Sequence, residues 1–172
     1  YEDYVGKILA AAEDKGRRTT LFLFSDHGMT DVDTVVDLKS KAEGWGYRVG
    51  KDFLSFYDST MARFWCKPDI KDDLVAKLNS TGWGRVIPDA ELESLGCGFD
   101  DDAYGEVIFL VDPGKLIVPS YMGQEPVAAM HGYHPGDPYS RGCFLTNNMK
   151  CPRPGSILDL KELLARQVRE GF

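Results

Sequence analysis

The spacing of hydrophobic residues at the start of the chain predicts a helix followed by a buried strand. Apolar side chains recur there at helical spacing, and they are Tyr4, Val5, Ile8, Leu9 and Ala12. An apolar run over 19–25 follows, too short for a helix and typical of a strand buried on both faces of a parallel sheet. It ends in a polar cluster, at the carboxyl end where open α/β sheets bind ligands.

The middle of the chain predicts a small α+β insertion over about 46–112. Two β-rich runs, Phe53–Tyr57 and Met61–Cys66, flank three polar residues and predict a hairpin. Helices are expected after Asp69 and Asp89, whose side chains suit the capping position. We expect a strand at Val107–Val111, with 116–118 returning as its partner, whereas 31–37 is expected to be a loop.

The last third of the chain is predicted to be a long loop, a short strand and a helix. Residues 121–141 are rich in glycine, proline, histidine and aspartate, and 143–146 is the strand. An amphipathic helix is expected within 157–168, with Asp159 as its cap. The fold class is therefore α/β, a sheet covered by helices with the α+β insertion in its middle.

Composition and charge narrow the possible partners. Hydrophobic residues make up 43% of the 172 residues and charged residues 27%, close to the average of globular proteins. A net charge of −7 argues against a generally basic nucleic-acid binder, so no binding to a nucleic-acid duplex is expected. A phosphate-bearing ligand would need cations supplied locally. Only three histidines are present.

Asp26 and His27 form the sharpest local signal. A carboxylate and an imidazole at a strand end can turn toward one ion if the backbone bends, and Gly28 allows that bend. Such a pair suits zinc or a similar transition metal better than magnesium or calcium, which favour oxygen ligands. Spacing alone equally allows a helix-capping aspartate beside a surface histidine.

The other two histidines, His131 and His134, lie in the glycine- and proline-rich loop. A histidine in such a loop more commonly serves as a hydrogen-bonding residue than as a ligand. All three histidines nevertheless fall in two short motifs, which strengthens the metal interpretation. Asp137 and Tyr139 nearby are candidates for holding a ligating imidazole in place.

The two motifs carry a family resemblance. The sequence S-D-H-G-M at 25–29 resembles the metal-binding strand end of the alkaline phosphatase superfamily, with the type I phosphodiesterase/nucleotide pyrophosphatase branch as the best match. H-G-Y at 131–133 is similar to a later motif of that branch, in the expected order.

The resemblance implies a partial alkaline-phosphatase-like sheet and a site with two divalent metal ions, zinc by preference. Asp26 and His27 would hold the ion that also touches the nucleophile, and His131 would belong to the neighbouring ion. Two such cations clamp the attacking and leaving oxygens of an in-line displacement. His134 inherits no firm ligand role. It would face the bound phosphate or, as we slightly favour, fix the loop.

One departure from the family pattern concerns the nucleophile. Family members carry a threonine or serine nucleophile and further ligands well upstream of S-D-H-G-M, but only 25 residues precede Asp26 here. Thr19 and Thr20 lie too early along the strand to serve. We therefore expect residues 1–172 to be the C-terminal part of a catalytic domain that lacks its N-terminal part. They would contain no catalytic residue and would be inactive alone.

The expected activity is metal-dependent hydrolysis of phosphodiester or pyrophosphate bonds in a small phosphate ester or nucleotide. The alternatives within the superfamily are phosphonoacetate hydrolase, sulfatase and cofactor-independent phosphoglycerate mutase. A non-catalytic binding domain that retains the fold is the alternative from another class. Many relatives are extracytoplasmic or membrane-anchored, but the residues themselves do not indicate a location.

Overall fold

The computed structural model describes residues 1–16, 19–99 and 101–170. The helices are α1 (Glu2–Glu13), α2 (Leu38–Glu43), α3 (Pro68–Asn79), α4 (Asp89–Ser94) and α5 (Leu160–Glu170). The first five strands are β1 (Phe22–Phe24), β2 (Thr30–Asp31), β3 (Thr34–Val36), β4 (Phe53–Tyr57) and β5 (Met61–Cys66). The remaining strands are β6 (Gly84–Val86), β7 (Val107–Val111), β8 (Lys115–Ile117), β9 (Ala129–Met130) and β10 (Phe144–Thr146). The fold is thus mixed α/β, as predicted.

The chain divides into two compact units. Unit 1 combines residues 1–28 with 142–172, and unit 2 comprises residues 29–141. Unit 2 interrupts unit 1 in sequence. It spans more residues than the insertion expected over about 46–112, and that insertion stays a prediction. Among the described residues, no helix is both long enough and apolar enough to cross a lipid bilayer.

Unit 1 contains the strand that the apolar run predicted, but its environment differs from the expectation. β1 pairs antiparallel with β10, with Leu23 opposite Leu145. Leu23 and Phe24 remain 38% and 43% exposed, so the prediction of a parallel strand buried on both faces was wrong for this chain. An apolar run shows that a strand tolerates burial, but burial also requires neighbours on both faces, and the described part of unit 1 pairs β1 with a single strand.

Unit 2 is built around a four-stranded antiparallel sheet with the order β4-β5-β7-β6. Alternate residues of its central strands are buried on one face, among them Phe64 of β5 and Phe109 of β7. Leu74 and Leu78 of α3, one helical turn apart, are buried in the same core. The predicted hairpin of β4 and β5 is confirmed at both ends.

Two predictions about short strands in unit 2 were wrong. Residues 31–37, expected as a loop, contain the end of β2 and all of β3. Residues 116–118 were expected to pair with β7, but β8 pairs in parallel with β3, placing Leu116 opposite Val35. Strands of two or three residues are too short to show an alternating pattern, and their partners lie far away in sequence.

The predicted helix starts were displaced by one or two residues. Asp69 and Asp89 lie in the first turns of α3 and α4, and neither helix has a side-chain cap. Their carboxylates still face the positive end of the helix dipole. The last helical segment begins with a 3₁₀ turn capped by Ser156, and Asp159 completes a reciprocal capping box by accepting from the Ser156 amide at 2.9 Å.

Candidate functional site

The Asp26–His27 pair directly follows β1 in unit 1, and backbone and side-chain hydrogen bonds orient both groups. The His27 amide donates to Asp26 Oδ1 at 3.0 Å, and His27 Nδ1 lies 2.8 Å from the Gly28 carbonyl oxygen. Because a carbonyl only accepts, Nδ1 carries a proton, and the ligand atom of a neutral ring would then be Nε2. That nitrogen lies 3.3 Å from Asp26 Oδ2.

This separation fits two ligands of one zinc ion. Two donor atoms held about 2.0–2.1 Å from a tetrahedral centre lie about 3.3 Å from each other. The side chains of Asp26 and His27 are 73% and 39% exposed. The donor set, one carboxylate oxygen and one imidazole nitrogen, also suits zinc.

The pair supplies fewer ligands than a closed site requires. Structural and catalytic zinc sites use at least three protein ligands. Within either unit, the described residues contain no group of three or more histidine, cysteine, aspartate or glutamate side chains that could hold a metal ion. Asp26 and His27 alone therefore do not make a complete zinc site.

The second motif begins just after β9 in unit 2, where Met130 pairs with Thr30 of β2. His131 is exposed at the start of this loop. Gly132 has a φ of +90°, and its carbonyl accepts from Thr60 Oγ1 at 2.8 Å. A Cβ at position 132 would lie 2.9 Å from the same Thr60 oxygen, so both the backbone conformation and the close approach require glycine.

Tyr133 anchors the loop in the core of unit 2. Its ring is buried among the core residues, and its hydroxyl donates to the Lys115 carbonyl of β8 at 2.9 Å. Burial raises the pKa of Tyr133, so the phenol stays protonated and continues to donate. The H-G-Y sequence thus combines a glycine turn with a buried aromatic anchor next to His131.

His134 uses both of its ring nitrogens within unit 2. The Gly136 amide donates to Nδ1 at 3.0 Å, so the proton of the neutral ring lies on Nε2, which donates to Glu91 Oε1 at 2.8 Å. A histidine engaged in this way offers no lone pair to a metal. Of the two roles expected for His134, this geometry favours holding the loop over facing a phosphate.

Further side chains support the same loop. Asp137 is buried and accepts from Thr30 Oγ1 and from the Tyr139 amide, both at 3.2 Å. Glu91 accepts two hydrogen bonds from Arg85 in addition to the one from His134, and these bonds lower its pKa to about 2. No sequence signal identifies Arg85, Glu91 and Thr60 as supports of this loop, because they lie far from the motif in sequence and form no motif themselves.

The structure thus pairs Asp26 with His27 in unit 1 and places His131 and His134 on one loop of unit 2. Each predicted metal-ligating residue lies at the surface or partly exposed. Chemically, unit 1 offers an oxygen–nitrogen pair, and unit 2 offers an imidazole on a loop held by hydrogen bonds on both of its sides.

Comparison with known proteins identifies similar chains. The family model described as type I phosphodiesterase / nucleotide pyrophosphatase matches residues 1–134. Human ectonucleotide pyrophosphatase / phosphodiesterase 5 is 17% identical with a TM-score of 0.70, and the match covers 95% of this chain and 45% of that one. An inactive variant of the murine protein in complex with AMP is 18% identical with a TM-score of 0.62, with coverages of 82% and 37%.

A bacterial structure shares the fold as well. Phosphonoacetate hydrolase from Sinorhizobium meliloti, in complex with phosphonoformate, is 14% identical with a TM-score of 0.62, covering 90% of this chain and 44% of that one. No match is found among the curated proteins.

The chain spans less than half the length of these solved structures. Identities this low establish the fold, which is the alkaline-phosphatase-like α/β fold of these relatives, and the family model adds the family itself. Because that model covers more than three quarters of the residues, both motifs included, the chain belongs to the type I phosphodiesterase / nucleotide pyrophosphatase family.

Proposed function

We propose that this chain is the metal-binding C-terminal part of a hydrolase that cleaves phosphodiester or pyrophosphate bonds. The observation that carries the proposal is the 3.3 Å separation of Asp26 Oδ2 and His27 Nε2 at the end of β1, in a member of a phosphodiesterase family.

Asp26 and His27 would hold one divalent ion, and His131 would contribute to a second. Zinc is the ion we propose for both, because imidazole and carboxylate together suit it. When bound, the two ions supply Lewis-acid activation and neutralise charge on the attacking and leaving oxygens. The protein's part is orientation: the Gly28 carbonyl fixes the His27 tautomer, and Asp26 contributes negative charge beside Nε2.

The proposed substrates are small phosphate-bearing molecules, nucleotides above all. The murine relative is seen with AMP, and the bacterial phosphonoacetate hydrolase with phosphonoformate, so the fold accepts phosphate and phosphonate groups in both. A chain of net charge −7 would repel such anions unless metal ions compensated. The family match favours the phosphodiesterase activity over that of phosphonoacetate hydrolase.

We further propose that the nucleophile is a threonine or serine outside these residues. The chain corresponds to 37–45% of the length of the similar structures, which leaves room for it. A threonine-to-alanine variant of the murine relative is inactive. On this proposal the 172 residues alone hydrolyse nothing.

An assay for hydrolysis of an aryl phosphodiester by the purified 172-residue chain, with added zinc, tests whether the nucleophile lies outside these residues. We expect no turnover above buffer, and loss of most bound zinc on dialysis, because each ion lacks ligands. Turnover abolished by His27→Ala would show that the nucleophile lies within the chain. Retention of two zinc ions per chain after dialysis would contradict the incomplete sites.

A further inference from the structure

We propose that Glu91, held by Arg85, is a positioning residue that sets the loop carrying His131 through its hydrogen bond to His134. The inference rests on the proposed metal-binding role of His131 and extends it to residues outside both motifs. All the contacts that carry it lie within unit 2.

The Glu91 carboxylate is itself fixed in place. Arg85 of β6 donates through both terminal nitrogens, at 2.7 Å to Oε2 and 2.6 Å to Oε1. This two-pronged pairing orients a carboxylate in its own plane, and a charge-assisted bond is stronger than a neutral one. Oε1 of the same carboxylate lies 2.8 Å from His134 Nε2. Arg85 therefore orients the acceptor of the His134 hydrogen bond.

The His134 ring has little freedom to turn away from that acceptor. Its opposite nitrogen accepts from the Gly136 amide, and a Cβ at position 136 would lie 2.9 Å from this Nδ1 atom. The His134 carbonyl also accepts from the Asp137 amide at 2.9 Å, which closes a tight turn over 134–137. The His134 ring and the backbone of the 134–137 turn therefore hold each other in position.

His131 lies between two fixed points. On one side, Met130 is paired with Thr30 in the β2–β9 ladder. On the other side, three hydrogen bonds hold the loop. Thr60 donates to the Gly132 carbonyl, and Tyr133 donates to the Lys115 carbonyl. The His134 ring donates to Glu91. Glu91 supplies the one tie among these that involves a charge, so its removal should loosen the backbone next to His131 most selectively.

Two substitutions of His134 separate the Glu91 contact from the Gly136 contact. In His134→Gln the amide nitrogen can reach Glu91 as Nε2 does, but the acceptor for Gly136 is lost. In His134→Asn the amide oxygen replaces Nδ1 as acceptor for Gly136, but the side chain is too short to reach Glu91. If the Glu91 contact positions the loop, only the glutamine variant should preserve it.

Asp52 provides a matched control for Glu91→Ala. Its carboxylate accepts from Arg48 at 2.9 and 3.0 Å and from Lys67 at 3.1 Å, so it has the same two-pronged arginine pairing plus a third donor in the same unit. Among the described residues, neither Arg48 nor Lys67 belongs to the His131 loop. Asp52→Ala therefore removes an arginine-paired carboxylate of unit 2 whose described partners lie outside the His131 loop.

The experiment measures the zinc affinity of the His131 imidazole by NMR and the amide exchange rates at 131–133. The variants are compared with the wild type under conditions in which their thermal stabilities are equal. Glu91→Ala and His134→Asn should weaken zinc binding at His131 by about tenfold, the lower end for outer-shell partners. His134→Gln and Asp52→Ala should leave it within about twofold of the wild type. Equal affinities across all variants, or an Asp52→Ala effect as large as that of Glu91→Ala, would overturn the inference.

The exchange data separate this inference from the proposed function. If the wild-type His131 binds no zinc, the proposed metal role of His131 fails. Amide exchange alone then tests whether Glu91 positions the His131 loop. Faster exchange at 131–133 in Glu91→Ala but not in Asp52→Ala would then support the positioning role. Unchanged exchange in Glu91→Ala would overturn it.

Discussion

The hydroxyl of Tyr133 donates a 2.9 Å hydrogen bond to the Lys115 carbonyl, joining the histidine loop to β8 inside the core of unit 2. Because β8 pairs with β3 and not with the large sheet, this bond connects the loop to the smaller parallel pair. A residue that packs in the core and bonds to backbone transmits the rigidity of the core to the loop.

Replacement of Tyr133 by phenylalanine should destabilise the protein by about 1 kcal/mol, because the ring still packs but the partly buried Lys115 carbonyl loses its donor. The free energy of unfolding in urea measures this loss. Tyr139→Phe is the control, since that side chain is 68% exposed and should change the free energy little. Equal stability of Tyr133→Phe and the wild type would contradict the anchoring role.

The pairing of Arg85 with Glu91 makes a pH dependence predictable. The pKa of Glu91 is lowered to about 2, chiefly by the hydrogen bonds from Arg85, with a smaller contribution from His134. A carboxylate with a depressed pKa stabilises the fold above its unfolded pKa of about 4.3 and loses that contribution as pH falls toward the folded value.

The wild type should therefore be more stable than Glu91→Gln at neutral pH, and the difference should shrink as pH falls below about 4.3. Urea midpoints of both proteins between neutral and acidic pH measure the difference. Because the Glu91 side chain is partly exposed, the effect should be modest and weaker in high salt. A difference that grows on acidification would have the wrong sign and would contradict the pairing.

Stability should be distributed unevenly along the chain. The described buried hydrophobic residues all belong to unit 2 except Leu160 and Leu163 of α5. Helix α1 buries no residue, and β1 is one half of a two-stranded pair, which is marginally stable by itself.

Hydrogen exchange followed by mass spectrometry should accordingly show fast exchange of the α1 and β1 amides and strong protection of the β5 and β7 amides. Limited proteolysis should cut unit 1 first and leave material close to residues 29–141. Equal protection of β1 and β7 would show that unit 1 gains stability from a source outside its own described contacts.

The elements that sequence predicted well are those whose burial repeats regularly. β4 and β5 were located to the residue, since alternation over five or six positions and a polar turn leave one register. β2 and β3 were missed because two or three residues carry no period. The apolar run of β1 was correctly identified as a strand, but its partner and direction depend on distant residues.

The candidate site shows the same limit. Asp26, His27 and His131 were predicted from motifs, in which the relevant residues are adjacent, and their metal-binding role stays a prediction. The bond between Glu91 and His134 joins residues 43 positions apart, and no local pattern marks either as the partner of the other. Hydrogen bonds that fix a tautomer, such as that from His27 to the Gly28 carbonyl, are likewise visible only in three dimensions.

The most direct test of the account is a zinc titration of the chain followed by the imidazole NMR signals of its three histidines. The His27 and His131 signals should shift or broaden as zinc is added, while His134, whose ring nitrogens are both engaged, should not respond. His27→Ala should abolish one response and leave the other. No response of His27 and His131 to excess zinc, or a response confined to His134, would contradict the proposed metal site.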